Sequence, residues 1–232
     1  MEFLKDYNKD KLEKLFDNFY QYEGKVIQVR NYNNQIIEVP DGDPGTFKKV
    51  SGFFMDKNHV YRENLTKDSP APTIKNKYGN SINNPEAKWE ISIIEGIDPN
   101  TFKYIKEKYD TVYWKDKNGI YVKKDGTLKK LEHADLDSFE YIGFLYGKDK
   151  NHIYYENEII PIDVHNYSLD TWGFIKDYHR IFHYDFEIGL DPETFEVEHY
   201  NLIKQPIILQ DRTGKYAYTR STQSDAGIVK VE

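Results

Sequence analysis

The chain of 232 residues contains no cysteine. Disulfides, thiolate nucleophiles and cysteine-bound metal sites are thereby excluded. No apolar run approaches the length that spans a bilayer. The opening residues, Met1-Glu2-Phe3-Leu4-Lys5-Asp6-Tyr7, hold no apolar stretch of signal-peptide length, so the expected location is cytoplasmic, with no membrane partner. An excess of positive charge is also missing: 39 acidic residues face 32 basic ones, for a net charge of −7. That balance disfavours nucleic acid and anionic lipid and makes a basic protein the natural partner. There is no Gly-rich phosphate loop and no Gly-x-Ser-x-Gly elbow. Acidic residues are too frequent for a catalytic pair to stand out. The expectation is a protein that is not an enzyme, with no catalytic residues and no cofactor.

What the chain has in quantity is aromatic residues, 16% of the total, with 20 tyrosines and 13 phenylalanines. A core of aromatic and β-branched side chains on strands follows. The chain also repeats itself. Asp-Lys-Asn, two residues and a tyrosine occur at Asp56–Tyr61, Asp116–Tyr121 and Asp149–Tyr154, with weaker copies at Asp177–Phe182 and Asp211–Tyr216. Asp and Asn suit turns, and the flanking Val, Ile, Tyr and Phe suit strands, so this phrase reads as a turn between two strands.

A second phrase alternates with the first. Its strong copies are Asp43-Pro44-Gly45-Thr46-Phe47, Asp98-Pro99-Asn100-Thr101-Phe102 and Asp191-Pro192-Glu193-Thr194-Phe195; weaker ones begin at Asp135 and Asp163. An Asp that can cap backbone N–H groups, followed by Pro, reads as a helix start. Ile97, Ala134, Ile162 and Leu190 precede four of the five Asp residues, in the position of a hydrophobic staple. Short helical turns are therefore expected at Asp43, Asp98, Asp135, Asp163 and Asp191, with Phe102, Phe139, Tyr167 and Phe195 buried.

The two alternating phrases resemble the DKNYY family of bacterial repeat proteins, over residues 39–61 and 94–218. Only Tyr154-Tyr155 supplies the paired tyrosines of the family name. The resemblance implies a repeat fold and brings no general activity with it. The expected fold is mainly β (α+β): tandem strand-turn-strand repeats with short helical turns and an N-terminal capping helix. That helix is expected from Asn8 or Asp10 to about Tyr22, with Leu12, Leu15, Phe16 and Phe19 on one face. The expected organisation is an N-terminal helix and hairpin cap over residues 1–38, with the hairpin turning at Asn33-Asn34, and a first repeat unit over 39–61. An insertion over 62–93, tandem units over 94–220 and a tail over 221–232 that frays complete it.

Chemistry-bearing residues are few. His179 and His183 are four apart, as metal ligands on a helix would be, but the repeat register sets them at a strand entry, and no metal is expected. His59 and His152 share one repeat position and read as turn or packing residues. The Asp-Lys-Asn turns fail as calcium loops, because Val60, Ile120 and Ile153 stand where an oxygen ligand is needed. The interval from Asp56 to Asp116 is 60 residues, against 33, 28 and 34 for those that follow. This longest interval contains the one stretch freed from building the unit. Tyr78, Glu86 and Trp89 within it are the candidate partner-binding residues. The most concrete reading is an inhibitor or immunity protein that neutralises a basic toxin or nuclease. The alternative is an extracytoplasmic module binding carbohydrate or an envelope ligand.

Overall fold

The structure, a computed structural model, describes residues 7–33, 35–105, 113–124, 127–199, 206–220 and 226–231. Short antiparallel strands run in four-stranded meanders. The first sheet is β1 (Glu13–Phe16), β2 (Phe19–Tyr22), β3 (Lys25–Arg30) and β4 (Gln35–Glu38), in that order. The second is built from β5 (Lys48–Val50), β6 (Phe53–Met55) and β7 (Val60–Leu65). A two-stranded hairpin of β8 (Thr73–Lys75) and β9 (Ser81–Asn83) follows, and β10 (Trp89–Ile93) then returns beside β7 to complete the sheet. The third is β11 (Lys103–Tyr104), β12 (Tyr113–Asp116), β13 (Gly119–Lys124) and β14 (Thr127–Lys130). The fourth is β15 (Glu140–Gly143), β16 (Tyr146–Lys148), β17 (Ile153–Tyr155) and β18 (Glu158–Ile160). The fifth is β19 (Ser168–Leu169), β20 (Phe174–Lys176), β21 (Ile181–His183) and β22 (Phe186–Glu187). The sixth is β23 (Glu196–His199), β24 (Ile207–Asp211), β25 (Gly214–Thr219) and β26 (Gly227–Lys230).

The chain forms two compact units. One comprises Met1–Tyr104, Trp114–Asn118 and Asp125–Leu128; the other comprises Ile105–Tyr113, Gly119–Lys124 and Lys129–Glu232. In the first, Phe19, Val26, Ile37, Phe47, Tyr61 and Ile91 make one core, drawn from the first two sheets. Phe53 meets the Trp114 ring edge-on at 5.2 Å and Phe102 at 6.1 Å. In the second unit, among the described residues, three cores follow one another. They centre on Tyr113, Phe139 and Tyr154, then on Tyr146, Tyr155 and Ile175, then on Phe174, Phe195 and Tyr218. Each draws on two consecutive sheets, because a single four-stranded meander cannot bury its own apolar face. Two tyrosines fasten neighbours together. The Tyr113 hydroxyl lies 2.8 Å from the Leu145 carbonyl and 2.9 Å from that of Glu156. The Tyr146 hydroxyl lies 3.2 Å from the carbonyls of Gly173 and Tyr184.

The mainly β expectation stands, and its helical parts are corrected. Where the capping helix was expected there is a single 3-10 turn, Lys9–Lys11, and then the hairpin β1–β2. Phe16 and Phe19 are partners across that hairpin, with ring centroids 5.2 Å apart. Residues i and i+3 share a helix face, but they also flank a two-residue turn. The left-handed φ of +42° at Asp17 selects the turn. Residues 1–38 thus contain a complete sheet of the same topology as the others, including the hairpin β3–β4; Asn34 lies outside the described residues.

The five Asp phrases likewise make turns and no helix. Their capping chemistry is present: Asp43, Asp98 and Asp163 each accept the N–H two residues on, at 2.8, 2.8 and 2.9 Å, and Asp135 accepts that of Ser138 at 3.0 Å. The staple contact is present too, with Leu190 against the core of Phe195 and Ala134 against that of Phe139. A strand begins one residue past each of Phe47, Phe102, Phe139, Tyr167 and Phe195, so a helix has no room to propagate. Phe102, Phe139 and Phe195 are buried, whereas Tyr167 is only half-buried. In the expected tail, Gly227–Lys230 pairs with β25; residues 221–225 lie outside the described residues.

Candidate functional site

The repeated phrases account for each other. In every copy the first Asp of one phrase donates its N–H to the Asp carboxylate of the other: Asp43 to Asp56 at 2.8 Å, Asp98 to Asp116 at 2.7 Å, Asp135 to Asp149 at 2.9 Å, Asp163 to Asp177 at 2.8 Å and Asp191 to Asp211 at 2.9 Å. The Asp149 carboxylate holds four donors. Oδ1 accepts the N–H groups of Asn151 and His152, both at 2.7 Å, and Oδ2 accepts those of Asp135 and the Tyr154 hydroxyl, both at 2.9 Å. Asp56 repeats the set, with Tyr61 as the hydroxyl donor at 2.8 Å. Burial alone would push these carboxyls up, and the donors outweigh it, so Asp56 and Asp149 sit below the ordinary carboxylate range. The acids of the motif are thus turn anchors.

The residue after each anchor closes the junction. Lys57, Lys117, Lys150 and Arg212 pair with Asp43, Asp98, Asp135 and Asp191, the last three at 2.5, 2.6 and 3.1 Å. Hydrogen bonding to Lys150 holds the Asp135 carboxyl down to about 2. One copy departs. Tyr178 stands in the cation's place, 77% exposed, and Asp163 takes the Asn166 amide at 2.8 Å instead.

The histidines separate. His179 is exposed at a turn, while His183 is buried, stacked on Phe174 at 4.3 Å with Nδ1 3.0 Å from the Tyr218 hydroxyl. His59 and His152 occupy equivalent places, Nδ1 lying 3.3 and 3.4 Å from the hydroxyls of Tyr61 and Tyr154. Among the described residues no group of three or more His, Asp or Glu is placed to hold a metal ion, and no helix is long and apolar enough to cross a membrane.

The three residues singled out from the sequence do not form one cluster. Tyr78 is at the tip of the β8–β9 hairpin, 74% exposed, with the Lys77 ammonium 4.9 Å from its ring centre. Glu86 is exposed at the hairpin's root, where Asn84 accepts its N–H at 3.0 Å. Asn84 is buried and ties the root shut: its amide donates to the Ala71 carbonyl at 2.8 Å and its N–H to that of Pro72 at 2.9 Å. Trp89 opens β10 and is half-buried against the first core. The Arg30 guanidinium lies 4.2 Å from its ring, and Gln35 bonds both its N–H and its carbonyl, at 3.0 and 2.6 Å. Arg30, itself buried, also bonds Gln28 at 3.0 Å and pairs with Glu63. Trp89 therefore holds β10 to the first sheet.

The hairpin carries surface residues that sequence reasoning passed over. Ile74 and Ile82 are direct cross-strand partners, 41% and 43% exposed. Alternation on a hairpin puts such partners on one face. Tyr78 at the tip is exposed as well, and none of the three belongs to a described core. Spacing alone could not find the pair, since Ile74 and Ile82 are eight residues apart and meet only through the register.

The DKNYY family model matches residues 113–228, half of the chain. No curated protein and no solved structure matches the sequence. The matched half contains the anchors at Asp116, Asp149, Asp177 and Asp211, each taking the N–H of the preceding phrase, and the chain belongs to the DKNYY family.

Proposed function

We propose that the protein is a non-catalytic protein-binding module and that the β8–β9 hairpin is a contact surface for its partner. The observation that carries this reading is the exposure of the cross-strand pair Ile74 and Ile82, and of Tyr78 at the tip, on a hairpin outside the four-stranded sheets. An exposed apolar cluster with a polar surround is the kind of surface that protein partners bury.

The finer reading is an inhibitor or immunity protein acting in the cytoplasm on a basic toxin or nuclease, and it draws on the net charge of −7. The hairpin segment does not share that charge. Lys67, Lys75, Lys77 and Lys88 outnumber Asp68 and Glu86 there. A basic partner would bury the exposed apolar residues of the hairpin and find carboxylates elsewhere on the chain.

The test replaces residues 73–83 by a short Gly-Ser linker between Pro72 and Asn84, whose backbone groups already bond at 2.9 Å. Trp89 is left intact because of its role beside Arg30. Partners captured on the full chain are then offered to the shortened one. Loss of binding at an unchanged melting temperature supports the reading. Full-strength binding by the shortened chain removes the hairpin as the contact.

A further inference from the structure

The sixth sheet has one covered face and one open face. Ile207, Leu209 and Tyr218 are buried in the core shared with the fifth sheet, and Tyr216 and Ile228 pack against them. Strand register fixes the residues of the opposite face. Ile208 pairs with Ala217, and Ala217 with Val229, so the three form one row across β24, β25 and β26. Lys215 and Val231 lie one row along on the same face, where the Val231 N–H donates to the Lys215 carbonyl at 2.8 Å. The repeat assigns this face a role. Three residues before each Asp anchor, and four and six after it, stand Tyr113, Ile120 and Val122 around Asp116, Tyr146, Ile153 and Tyr155 around Asp149, and Phe174, Ile181 and His183 around Asp177. All of these are buried, and each trio packs against the sheet that follows. Around Asp211 the same places hold Ile208, Lys215 and Ala217, and none of them is buried. Val231 matches Leu131 and Ile188, whose N–H groups donate to the carbonyls of Ile120 and Ile181 at 2.8 and 2.9 Å. Those two are buried, whereas Val231 is 52% exposed and Val229 66%. Among the described residues no sheet follows the sixth.

We propose that this open face of the sixth sheet docks on the same face of a second copy of the chain, giving a closed and reversible homodimer. The interfaces inside the chain name the occupant. In the third, fourth and fifth sheets the equivalent face is covered by another meander of the same topology, and a second copy brings one. The first sheet does not offer itself. Ile27 alternates with Val26 of the first core and so faces away from it, yet it is only 2% exposed. That face is already covered, and a head-to-tail chain of copies has no acceptor there. The open face of the sixth sheet is left to meet its own equivalent across a two-fold axis. Its make-up suits self-contact. Ala217 keeps the centre of the row low between Ile208 and Val229, which leaves room for side chains of the other copy. Lys215 pairs with Glu198 at 2.7 Å, so the flank of the row carries one charge of each sign. A face four strands wide and about five residues long covers roughly 300 Å². A stable complex buries about 800 Å² per partner, so this dimer forms and dissociates with concentration. The contact is separate from the hairpin and does not depend on the protein-binding reading.

Sedimentation velocity on the full chain, across about a hundredfold range of concentration, reads the association. The sedimentation coefficient climbs from that of a monomer to that of a dimer and goes no further. The dimer persists in about 1 M NaCl, where attraction between charges is screened within a few ångströms. Val229→Lys and Val231→Lys each weaken dimerisation at least about tenfold, because each sets a charge in the apolar contact. Ile159→Lys, at a residue 43% exposed on the edge strand of the fourth sheet, leaves dimerisation unchanged, and so does replacement of the hairpin. Both valines are exposed, so the melting temperatures of the dilute variants stay at the wild-type value. A monomer at every concentration overturns the proposal. So does a dimer that both valine variants keep, a dimer that high salt dissolves, or a series of species that grows past the dimer. Association lost on replacing the hairpin but kept by Val229→Lys would place the self-contact at the hairpin and overturn it as well.

Discussion

A single carboxylate explains why Asp, Asn and Tyr recur at fixed spacing. The Asp149 oxygens take two N–H groups of their own turn, one from the preceding phrase and one hydroxyl from five residues on. Asp177 has only the first three donors, because Phe182 stands where Tyr154 does. Phe182→Tyr therefore supplies the missing hydroxyl and is expected to stabilise the fold by about 1 kcal/mol. Asp149→Asn turns an amide N–H toward existing donors and is expected to cost about 3 kcal/mol. Urea unfolding of both variants checks the pair. A stabilising Asp149→Asn would mean that the anchor is not what joins the two phrases.

At the scale of an element, the sheets meet through aromatic rings set by the second phrase. The Phe139 ring lies 5.1 Å from that of Tyr113 and 5.7 Å from that of Tyr154, and a methyl group at Gly147 would overlap it. Gly147 thus exists to let the ring approach the β16 backbone. Phe139→Ala is expected to cost about 3–5 kcal/mol through the cavity it leaves. Gly147→Ala is expected to cost about 1–3 kcal/mol by overpacking. Thermal unfolding measures both, and a neutral Gly147→Ala would show that the ring has another place to go. Most of these contacts were legible in advance, since Phe102, Phe139 and Phe195 share one repeat position. Tyr167 shares it too, yet it sits at the edge of a groove with the Lys148 ammonium 5.2 Å from its ring centre. Neighbours from other parts of the chain decide whether a repeat position is core or surface.

For the whole molecule, stability is linked to pH through His183. Burial, with the Arg220 guanidinium adding to it, pushes this imidazole down to about 4. The unfolded chain binds the proton near 6.5, so between about pH 6.5 and 4 unfolding takes up a proton that the native state refuses. Stability is therefore full above 6.5 and falls as pH drops through that window, by roughly 3 kcal/mol in all. His183→Tyr, which restores the residue found at Tyr155, is expected to flatten that part of the profile whatever its effect at pH 8. Chemical denaturation at pH 4.5, 5.5, 6.5 and 8 reads the slope; an unchanged slope would place the titrating group elsewhere. The anchors Asp56, Asp149, Asp177 and Asp211 act at lower pH, since their depressed carboxyls release stability only as pH falls past the ordinary carboxylate range.

The order of the repeats, the turn at each Asp-Lys-Asn and the preference for strands were all present in the residues themselves. Turn chemistry and β-propensity act over a few neighbours and need no partner. The helical readings failed because capping signals are local and a helix is not. Asp98 caps N–H groups as expected, but its own N–H belongs to Asp116, 18 residues on, and the chain enters β11 after one turn. The candidate site divides the same way. That the Asp177 copy is degenerate could be read from the sequence, whereas residues 62–65 and 89–93 of the expected insertion build β7 and β10 of the second sheet. That Trp89 packs beneath Arg30, and that Ile74 stands exposed beside Ile82, were decided by strand register and sheet packing. Those contacts join residues far apart in the chain, and only the folded backbone sets such distances.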